Sequence, residues 1–210
     1  DNVPMDQAAL LADAVSTPYA AVVHTAQVHM GNTVAVWGVG GVGAHLVQLS
    51  KLAGAVPVIA VDLNDAVLER AKRLGADYAF RSDDPDLMKK IEDITDGRMV
   101  DIAFDAVGIQ PTLRACVESL DINGKAVSIG LSPQNIDAGT FLEFNLKKKQ
   151  LLGHLGYKRQ DIARLADMLS YGRLDLTESI SKIIPLTDIK QGIDDLENHR
   201  GNPIRILVKP

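Results

Sequence analysis

Short apolar runs and amphipathic stretches alternate through the middle of the chain. The runs are rich in β-branched residues and predict strands at 33–37, 57–61, 77–80, 99–104, 124–130 and 151–155. Between the first five strands, apolar residues recur at helical spacing and predict helices at 42–53, 64–74, 85–95 and 110–120. Helices that connect successive strands imply a parallel sheet covered on both faces. We therefore predict an α/β fold with a doubly wound, six-stranded parallel sheet of order 3-2-1-4-5-6.

The two ends of the chain follow a different pattern. Ahead of the first strand and after the sixth, helical patterns occupy residues 5–13, 17–29, 158–170 and 187–198. Two short strands complete a C-terminal tail, at 180–184 and 203–208. The pattern divides the chain into a helical segment at 1–30, the sheet domain at 31–156 and a C-terminal segment at 157–210.

Composition and charge exclude several classes of protein. The 210 residues are 46% hydrophobic and 23% charged, and they include neither a transmembrane stretch nor a signal-peptide pattern. We therefore expect a cytoplasmic protein with no membrane partner. The net charge of −5 argues against a nucleic-acid partner. We interpret the one basic cluster, Lys147–Lys149, as a solvated helix face.

The number of cysteines and the spacing of the histidines do not predict a metal centre. A single cysteine, Cys116, excludes an intrachain disulfide and a thiolate zinc cluster, and its apolar helical surroundings predict a small core residue. The histidines are not at ligand spacing from one another or from other ligand types. We predict that they are surface or packed residues: His24, His29, His45, His154 and His199.

A glycine turn follows the first predicted strand and opens the first predicted helix. Gly38-Val39-Gly40-Gly41-Val42-Gly43 has the G-x-G-x-x-G spacing of a dinucleotide-binding turn. Gly38 permits the tight turn, Gly40 lets the backbone approach a pyrophosphate, and Gly43 lets the helix pack close to the strand. The phosphates would then face free N–H groups at the positive end of the helix.

An acidic residue ends the second predicted strand. Asp62 lies 22 residues after Gly40, where a carboxylate that binds the adenosine ribose is expected. Residues 63–66 include no Arg or Lys that could receive a 2′-phosphate, and Asp65 adds negative charge. Arg70 and Arg73, on the next helix, are the cations that could reach back. We predict NAD rather than NADP as the cofactor.

Further motifs give the chain a family resemblance. They are Ala8–Ala21, Val61–Asn64, Ala71–Asp77, Phe104–Gly108 and Gly124–Gly130. Together with the glycine turn they resemble the cofactor half of the medium-chain dehydrogenase/reductase family, the zinc-type alcohol dehydrogenases. The resemblance covers essentially the whole chain and implies a Rossmann domain that binds NAD at 31–156.

The resemblance also implies a cofactor site built from several loops. The backbone of Gly40, Gly41 and Val42 would hold the pyrophosphate, and Asp62 would hold the adenosine ribose. After the fourth strand, Val107 and Gly108 would lie beside the adenosine side and the nicotinamide ribose. After the fifth strand, the nicotinamide face would be lined by Ile129, Gly130 and Leu131. These positions agree with the rule that ligands lie beyond the carboxyl ends of parallel strands.

Three more residues are matched by resemblance alone. Arg205 matches an arginine that reaches the cofactor phosphates, although a surface arginine is an alternative. Thr17 matches a threonine near the nicotinamide, although it would also suit the N-cap of the next helix. Asp13 matches the third ligand of the catalytic zinc. The remaining ligands and the proton relay would belong to a catalytic domain absent from this chain, against which 157–210 would pack, so no catalytic residue is assigned.

These expectations describe the NAD-binding part of a zinc-type alcohol dehydrogenase. The complete enzyme would transfer a hydride between an alcohol or carbonyl substrate and nicotinamide, with zinc present only in the complete enzyme. We expect this chain alone to bind NAD(H) without oxidising alcohols. We also expect a homodimer, because residues 150–155 predict an apolar edge strand.

Three alternatives stay open. A zinc-free, NADPH-dependent quinone or enoyl reductase of the same superfamily is disfavoured by Asp62. A regulatory nucleotide-sensing domain is disfavoured by the long flanks on either side of the sheet. A methyltransferase usually has an acidic residue at the end of its first strand, where this chain has Val36 and Trp37.

Overall fold

The computed structural model describes residues 2–198, 200–201 and 203–210, so His199 lies outside the described residues. These residues form two compact units. The larger comprises Thr17–Gly156, and the smaller comprises the described residues up to Ser16 together with Tyr157–Pro210. Among the described residues, no helix is long and apolar enough to cross a bilayer.

Strands and helices alternate along the chain much as the sequence predicts. The strands are β1 Val34–Trp37, β2 Val58–Asp62, β3 Tyr78–Arg81, β4 Val100–Asp105, β5 Leu120–Ser128, β6 Gln150–Gly153, β7 Lys182–Pro185 and β8 Ile206–Lys209. The α-helices are α1 Met5–Ala8, α2 Ser16–Ala20, α3 Gly43–Leu52, α4 Asp65–Arg73, α5 Leu87–Ile94, α6 Gln110–Glu118, α7 Phe141–Leu146, α8 Arg159–Ser170 and α9 Ile189–Glu197.

A six-stranded parallel sheet forms the centre of the larger unit. Its order is β3-β2-β1-β4-β5-β6, which confirms the predicted doubly wound arrangement. Val36 of β1 is in register with Ala60 on one side and with Phe104 on the other. The strand order reverses between β1 and β4, and this is where α/β sheets of this kind bind their ligands.

Alternation along the central strands directs side chains to both faces of the sheet. Trp37 and Ile59 point to the face where Ile91 of α5 and Cys116 of α6 bury them. Cys116 is therefore a core residue, as predicted. Val36 points the other way, where α3 packs at Gly43: a Cβ atom there would lie 3.4 Å from Val36 Cγ1. Both faces of the sheet are covered, so the central strands are mostly apolar.

The prediction for Lys147–Lys149 is wrong at Lys149. Helix α7, which the sequence pattern does not predict, ends at Leu146, and Lys148 has a φ of +49° that turns the chain into β6. The turn directs Lys149 inward, where its Nζ donates to Val117 O at 2.7 Å and to Glu143 Oε1 at 2.8 Å. The buried ammonium thus joins α7 to the end of α6.

The smaller unit contains a parallel pair, β7 with β8, that aligns Lys182 with Ile206. The helix predicted at 5–13 is interrupted, because Ala12 and Asp13 have non-helical backbone angles within a π-type segment at Leu11–Val15. Gln7 attaches this region to the tail: its Oε1 accepts the N–H of Leu176 at 2.8 Å. In the larger unit, the helix predicted at 17–29 is a π-type segment at Ala21–Ala26 that follows α2.

Candidate functional site

Four strand ends meet where the sheet reverses its order. Gly38 follows β1, Asp62 ends β2, and the loops that begin at Ala106 and Ile129 follow β4 and β5. Because the strands are parallel, these carboxyl ends share one edge of the sheet. The structure thus brings the predicted glycine turn, the predicted acid and both predicted loops to the same edge.

The glycines of the turn differ in what surrounds them. Gly38 has a φ of +80°, and a Cβ atom there would lie 2.3 Å from Val107 Cγ2. A Cβ atom on Gly43 would lie 1.8 Å from Gly38 O, so only glycine lets α3 begin this close to the turn. Gly40 is exposed, and its Cβ would meet no heavy atom of the described residues within 4 Å. The space in front of Gly40 is an open cradle at the N-terminus of a helix, which suits a pyrophosphate.

Asp62 is hydrogen-bonded to the glycine turn. Its Oδ2 accepts the N–H of Val39 at 2.8 Å, and its Oδ1 accepts the N–H of Asn64 at 3.0 Å. An ionised carboxylate has about four lone-pair sites, so acceptor capacity remains for two ribose hydroxyls. The N–H groups of the glycine turn therefore suit the phosphates of a dinucleotide, and the Asp62 carboxylate suits its ribose.

A cation next to Asp62 is already paired with carboxylates. Arg81 is the β3 partner of Asp62, and its guanidinium donates to Asp65 Oδ1 at 3.0 Å and to Asp83 Oδ2 at 2.8 Å. The hydrogen bond from Arg81 lowers the pKa of Asp83, so that carboxylate stays ionised at neutral pH. The charge of Arg81 is thus shared between two acids close to Asp62.

The loops after β4 and β5 touch through two glycines. A Cβ atom on Gly108 would lie 2.4 Å from the carbonyl carbon of Gly130, so the two backbones are in direct contact. Val107 and Leu131 flank this contact with exposed side chains, whereas Ile129 is buried. All five residues predicted beside the adenosine side, the nicotinamide ribose and the nicotinamide face lie in these two loops.

Sequence reasoning missed Asp105, the last residue of β4. It is 1% exposed, and its Oδ1 accepts the N–H groups of Val107 and Gly108, both at 3.1 Å. The Thr112 hydroxyl donates to the same oxygen at 2.9 Å. The available signal was an acid directly after the apolar run Ile102–Phe104, because a carboxylate is rarely buried without such partners.

Thr17 lies inside α2 and is nearly buried, so it is not the cap of the following segment. Its carbonyl accepts a hydrogen bond from His154 Nε2 at 3.1 Å. Since a carbonyl only accepts, Nδ1 of the neutral ring accepts from the Thr25 hydroxyl at 2.8 Å. Burial is the main cause that lowers the pKa of His154, which favours this neutral form. His154 is a packed residue that holds the Thr17 backbone.

Asp13 and Arg205 both belong to the smaller unit. The N–H of Asp13 donates to Ser16 Oγ at 3.0 Å, and its backbone φ is +70°. Burial lowers the pKa of Arg205, while the charge of Asp13 raises it. The described residues include no group of three or more His, Cys, Asp or Glu side chains that could hold a metal ion.

Comparison with known proteins gives consistent matches. The family model for zinc-binding dehydrogenases matches residues 41–171. The chain is 34% identical over 219 residues to the "Probable S-(hydroxymethyl)glutathione dehydrogenase 1" of Schizosaccharomyces pombe, which covers 99% of the chain and 55% of that protein. It is 28% identical over 212 residues to an alcohol dehydrogenase of Cupriavidus necator, at 100% and 58% coverage.

A solved structure has the same fold. The alcohol dehydrogenase TADH from Thermus sp. ATN1 superposes with a TM-score of 0.92 at 23% identity, over 100% of this chain and 60% of that one. The chain spans a little over half the length of the curated relatives it matches. Because the family model matches well over half of its residues, the chain belongs to the zinc-binding dehydrogenase family, as the resemblance of its motifs predicted.

Proposed function

We propose that this chain is the NAD-binding part of a zinc-type alcohol dehydrogenase that transfers a hydride between an alcohol or carbonyl substrate and nicotinamide. One observation carries the proposal: the Asp62 carboxylate is hydrogen-bonded to the glycine turn next to the open cradle at Gly40. That juxtaposition provides acceptors for a ribose and a helix N-terminus for a pyrophosphate. The names of the two relatives, both dehydrogenases, support the reaction class.

Each part of the site has a proposed task. The backbone of Gly40–Gly43 binds the pyrophosphate, and Asp62 binds the adenosine ribose. The Val107–Gly108 turn lies beside the adenosine side and the nicotinamide ribose. The Ile129–Leu131 loop lines the nicotinamide face, and Thr17 lies near the nicotinamide. The bound nicotinamide supplies the hydride chemistry. Zinc ligands and the proton relay would come from the rest of a complete enzyme, and contact of Arg205 with the phosphates and of Asp13 with zinc stay predictions.

Titration of the purified chain with NADH and NADPH tests this proposal. Cofactor fluorescence reports binding, and we expect NADH to bind more tightly than NADPH. The chain alone should not oxidise alcohols, because the described residues offer no metal centre. Failure to bind either dinucleotide would overturn the proposal. Zinc-dependent alcohol oxidation by this chain alone would overturn the expected inactivity.

We also propose that the chain forms a homodimer through the β6 edge of the sheet. Among the described strands, β6 pairs with β5 alone, so its outer edge is unpaired. Leu155 follows β6 with 81% of its surface exposed, and Leu146 precedes it with 71% exposed. An apolar unpaired edge tends to be covered. Light scattering should give twice the chain mass, and a monomer at tens of micromolar would contradict this proposal. The cytoplasmic location stays a prediction.

A further inference from the structure

Asp105 connects the two loops that would contact the nicotinamide half of the cofactor. Its carboxylate accepts both N–H groups of the Val107–Gly108 turn. Its own carbonyl oxygen accepts the N–H of Ile129 at 2.9 Å and that of Gly130 at 3.1 Å. One residue therefore holds four N–H groups, two from each loop.

The cost of burying this carboxylate indicates that its contacts matter. Asp105 is 1% exposed, and among the described residues its Oδ2 finds no hydrogen-bond partner. A buried acid with one oxygen unsatisfied is unfavourable for folding. A neutral side chain would serve the core better if packing were its only task, so the bonds to the turn are the compensating interaction.

The Gly108–Gly130 contact transmits the constraint from one loop to the other. Since their backbones touch, the Val107–Gly108 turn cannot shift without moving Gly130 or losing the contact. Gly38 adds a third element, because its missing Cβ leaves the space that Val107 Cγ2 occupies. The turn thus lies between the glycine turn and the β5 loop, and Asp105 fixes its position.

We propose that Asp105 is a positioning residue for the nicotinamide half of the dinucleotide. This inference rests on the proposed function, because it assumes that the two loops contact a bound cofactor. Asp105 acts through the Val107–Gly108 turn and does not itself touch the ligand. Its loss should weaken binding of a complete dinucleotide more than binding of the adenosine half, which the glycine turn and Asp62 would hold.

The experiment compares NADH with ADP as ligands for four forms of the chain: wild type, Asp105→Ala, Asp105→Asn and Asp101→Ala. Asp101 is a matched control because it lies in the same strand and its carboxylate accepts the N–H of Thr33 at 2.8 Å, at the opposite end of β4. We expect Asp105→Ala to weaken the binding of NADH about tenfold, in line with the loss of charged hydrogen bonds. The same variant should weaken the binding of ADP less than about threefold. Asp105→Asn keeps an acceptor oxygen, so this variant should lose only about threefold in its affinity for NADH. Asp101→Ala should leave the ratio of the two affinities at the wild-type value.

Hydrogen exchange provides a readout that does not depend on any ligand. The amides of Val107 and Gly108 should exchange faster in Asp105→Asn than in wild type, while amides in the centre of β1 stay equally protected. Unchanged exchange in the turn, or equal losses of NADH and ADP affinity, would overturn the inference. If the Ala variant does not fold, the same measurements on Asp105→Asn test the inference. A wild-type chain that binds neither ligand would instead overturn the proposed function, and exchange would still test the role of Asp105 in the turn.

Discussion

The backbones of Gly108 and Gly130 are in contact: a Cβ atom on Gly130 would lie 2.1 Å from the amide nitrogen of Gly108. Backbone atoms cannot turn aside as the end of a long side chain can. We expect Gly130→Ala to lower the free energy of unfolding by about 1–3 kcal/mol, as overpacking does, and to weaken NADH binding. Urea denaturation measures the first effect and fluorescence titration the second. An unchanged denaturation midpoint would show that the loops accommodate the methyl group.

Alanine substitutions at Gly40 and Gly43 should distinguish an effect on cofactor binding from an effect on stability. Gly40→Ala adds a methyl group to open space, so the free energy of unfolding should change by less than about 0.5 kcal/mol, while NADH affinity falls at least about tenfold because the methyl fills the pyrophosphate cradle. Gly43→Ala is the matched variant, since its Cβ would lie 1.8 Å from Gly38 O. It should destabilise the fold as well as weaken binding. Equal denaturation midpoints for the two variants would contradict this assignment.

The sheet could be predicted because its signals are local. Apolar runs with glycine stops placed each central strand within a few residues, although β5 begins at Leu120 and not at 124. The extra residues follow from Val100, which pairs with Leu120 before a register shift at Ile102. No local pattern specifies that pairing, since it depends on a neighbouring strand.

The sequence predicts the parts of the candidate site that have a motif, and it does not predict the contacts between loops. Asp62 and the glycines have a recognisable spacing, and the structure brings them together. Asp105 has no such spacing: its role arises because the β4 and β5 loops meet. Lys149 was misinterpreted for the same reason, because one left-handed residue, Lys148, directs it inward.

Lys149 should stabilise the larger unit through its buried ammonium. Lys149→Met keeps most of the side-chain volume but removes the Nζ donor to Val117 O and to Glu143 Oε1, and we expect a loss of about 1–3 kcal/mol in the free energy of unfolding. Lys148→Met is a control at an exposed neighbouring position. Chemical denaturation near neutral pH compares the two variants. Equal stabilities would show that the buried contacts contribute nothing.

The same pair predicts a pH dependence. The hydrogen bond from Lys149 lowers the pKa of Glu143 below its ordinary value. Because the folded-state pKa is depressed, this stabilisation is present above the unfolded-state pKa of about 4.3 and is lost as the pH falls through the lower, folded-state value. Wild type should therefore lose more stability on acidification below pH of about 4.3 than Lys149→Met does. Parallel stability–pH curves for the two proteins would contradict this coupling.

Asp62 should determine the preference between the two dinucleotides. A 2′-phosphate would place negative charge about 4 Å from the carboxylate, a repulsion of about 4 kcal/mol per charge pair at an effective dielectric of about 20. Salt and solvent reduce this to about 1–3 kcal/mol, or roughly tenfold to a hundredfold in affinity. Arg81 does not offset the repulsion, because Asp65 and Asp83 already pair with it.

Asp62→Ser should bring the NADH and NADPH affinities close to each other, mainly by improving NADPH binding. Asp77→Asn is a matched control, because Asp77 is likewise a carboxylate that accepts a backbone N–H. Its donor is Val58, at the opposite end of β2, at 2.8 Å. The Asp77→Asn variant should keep the wild-type ratio. Because Asp62 also accepts the N–H of Val39, the serine variant should lose some NADH affinity as the turn loosens. Fluorescence titration of both reduced cofactors measures each ratio, and equal affinities in the wild-type chain would remove Asp62 from the role assigned to it.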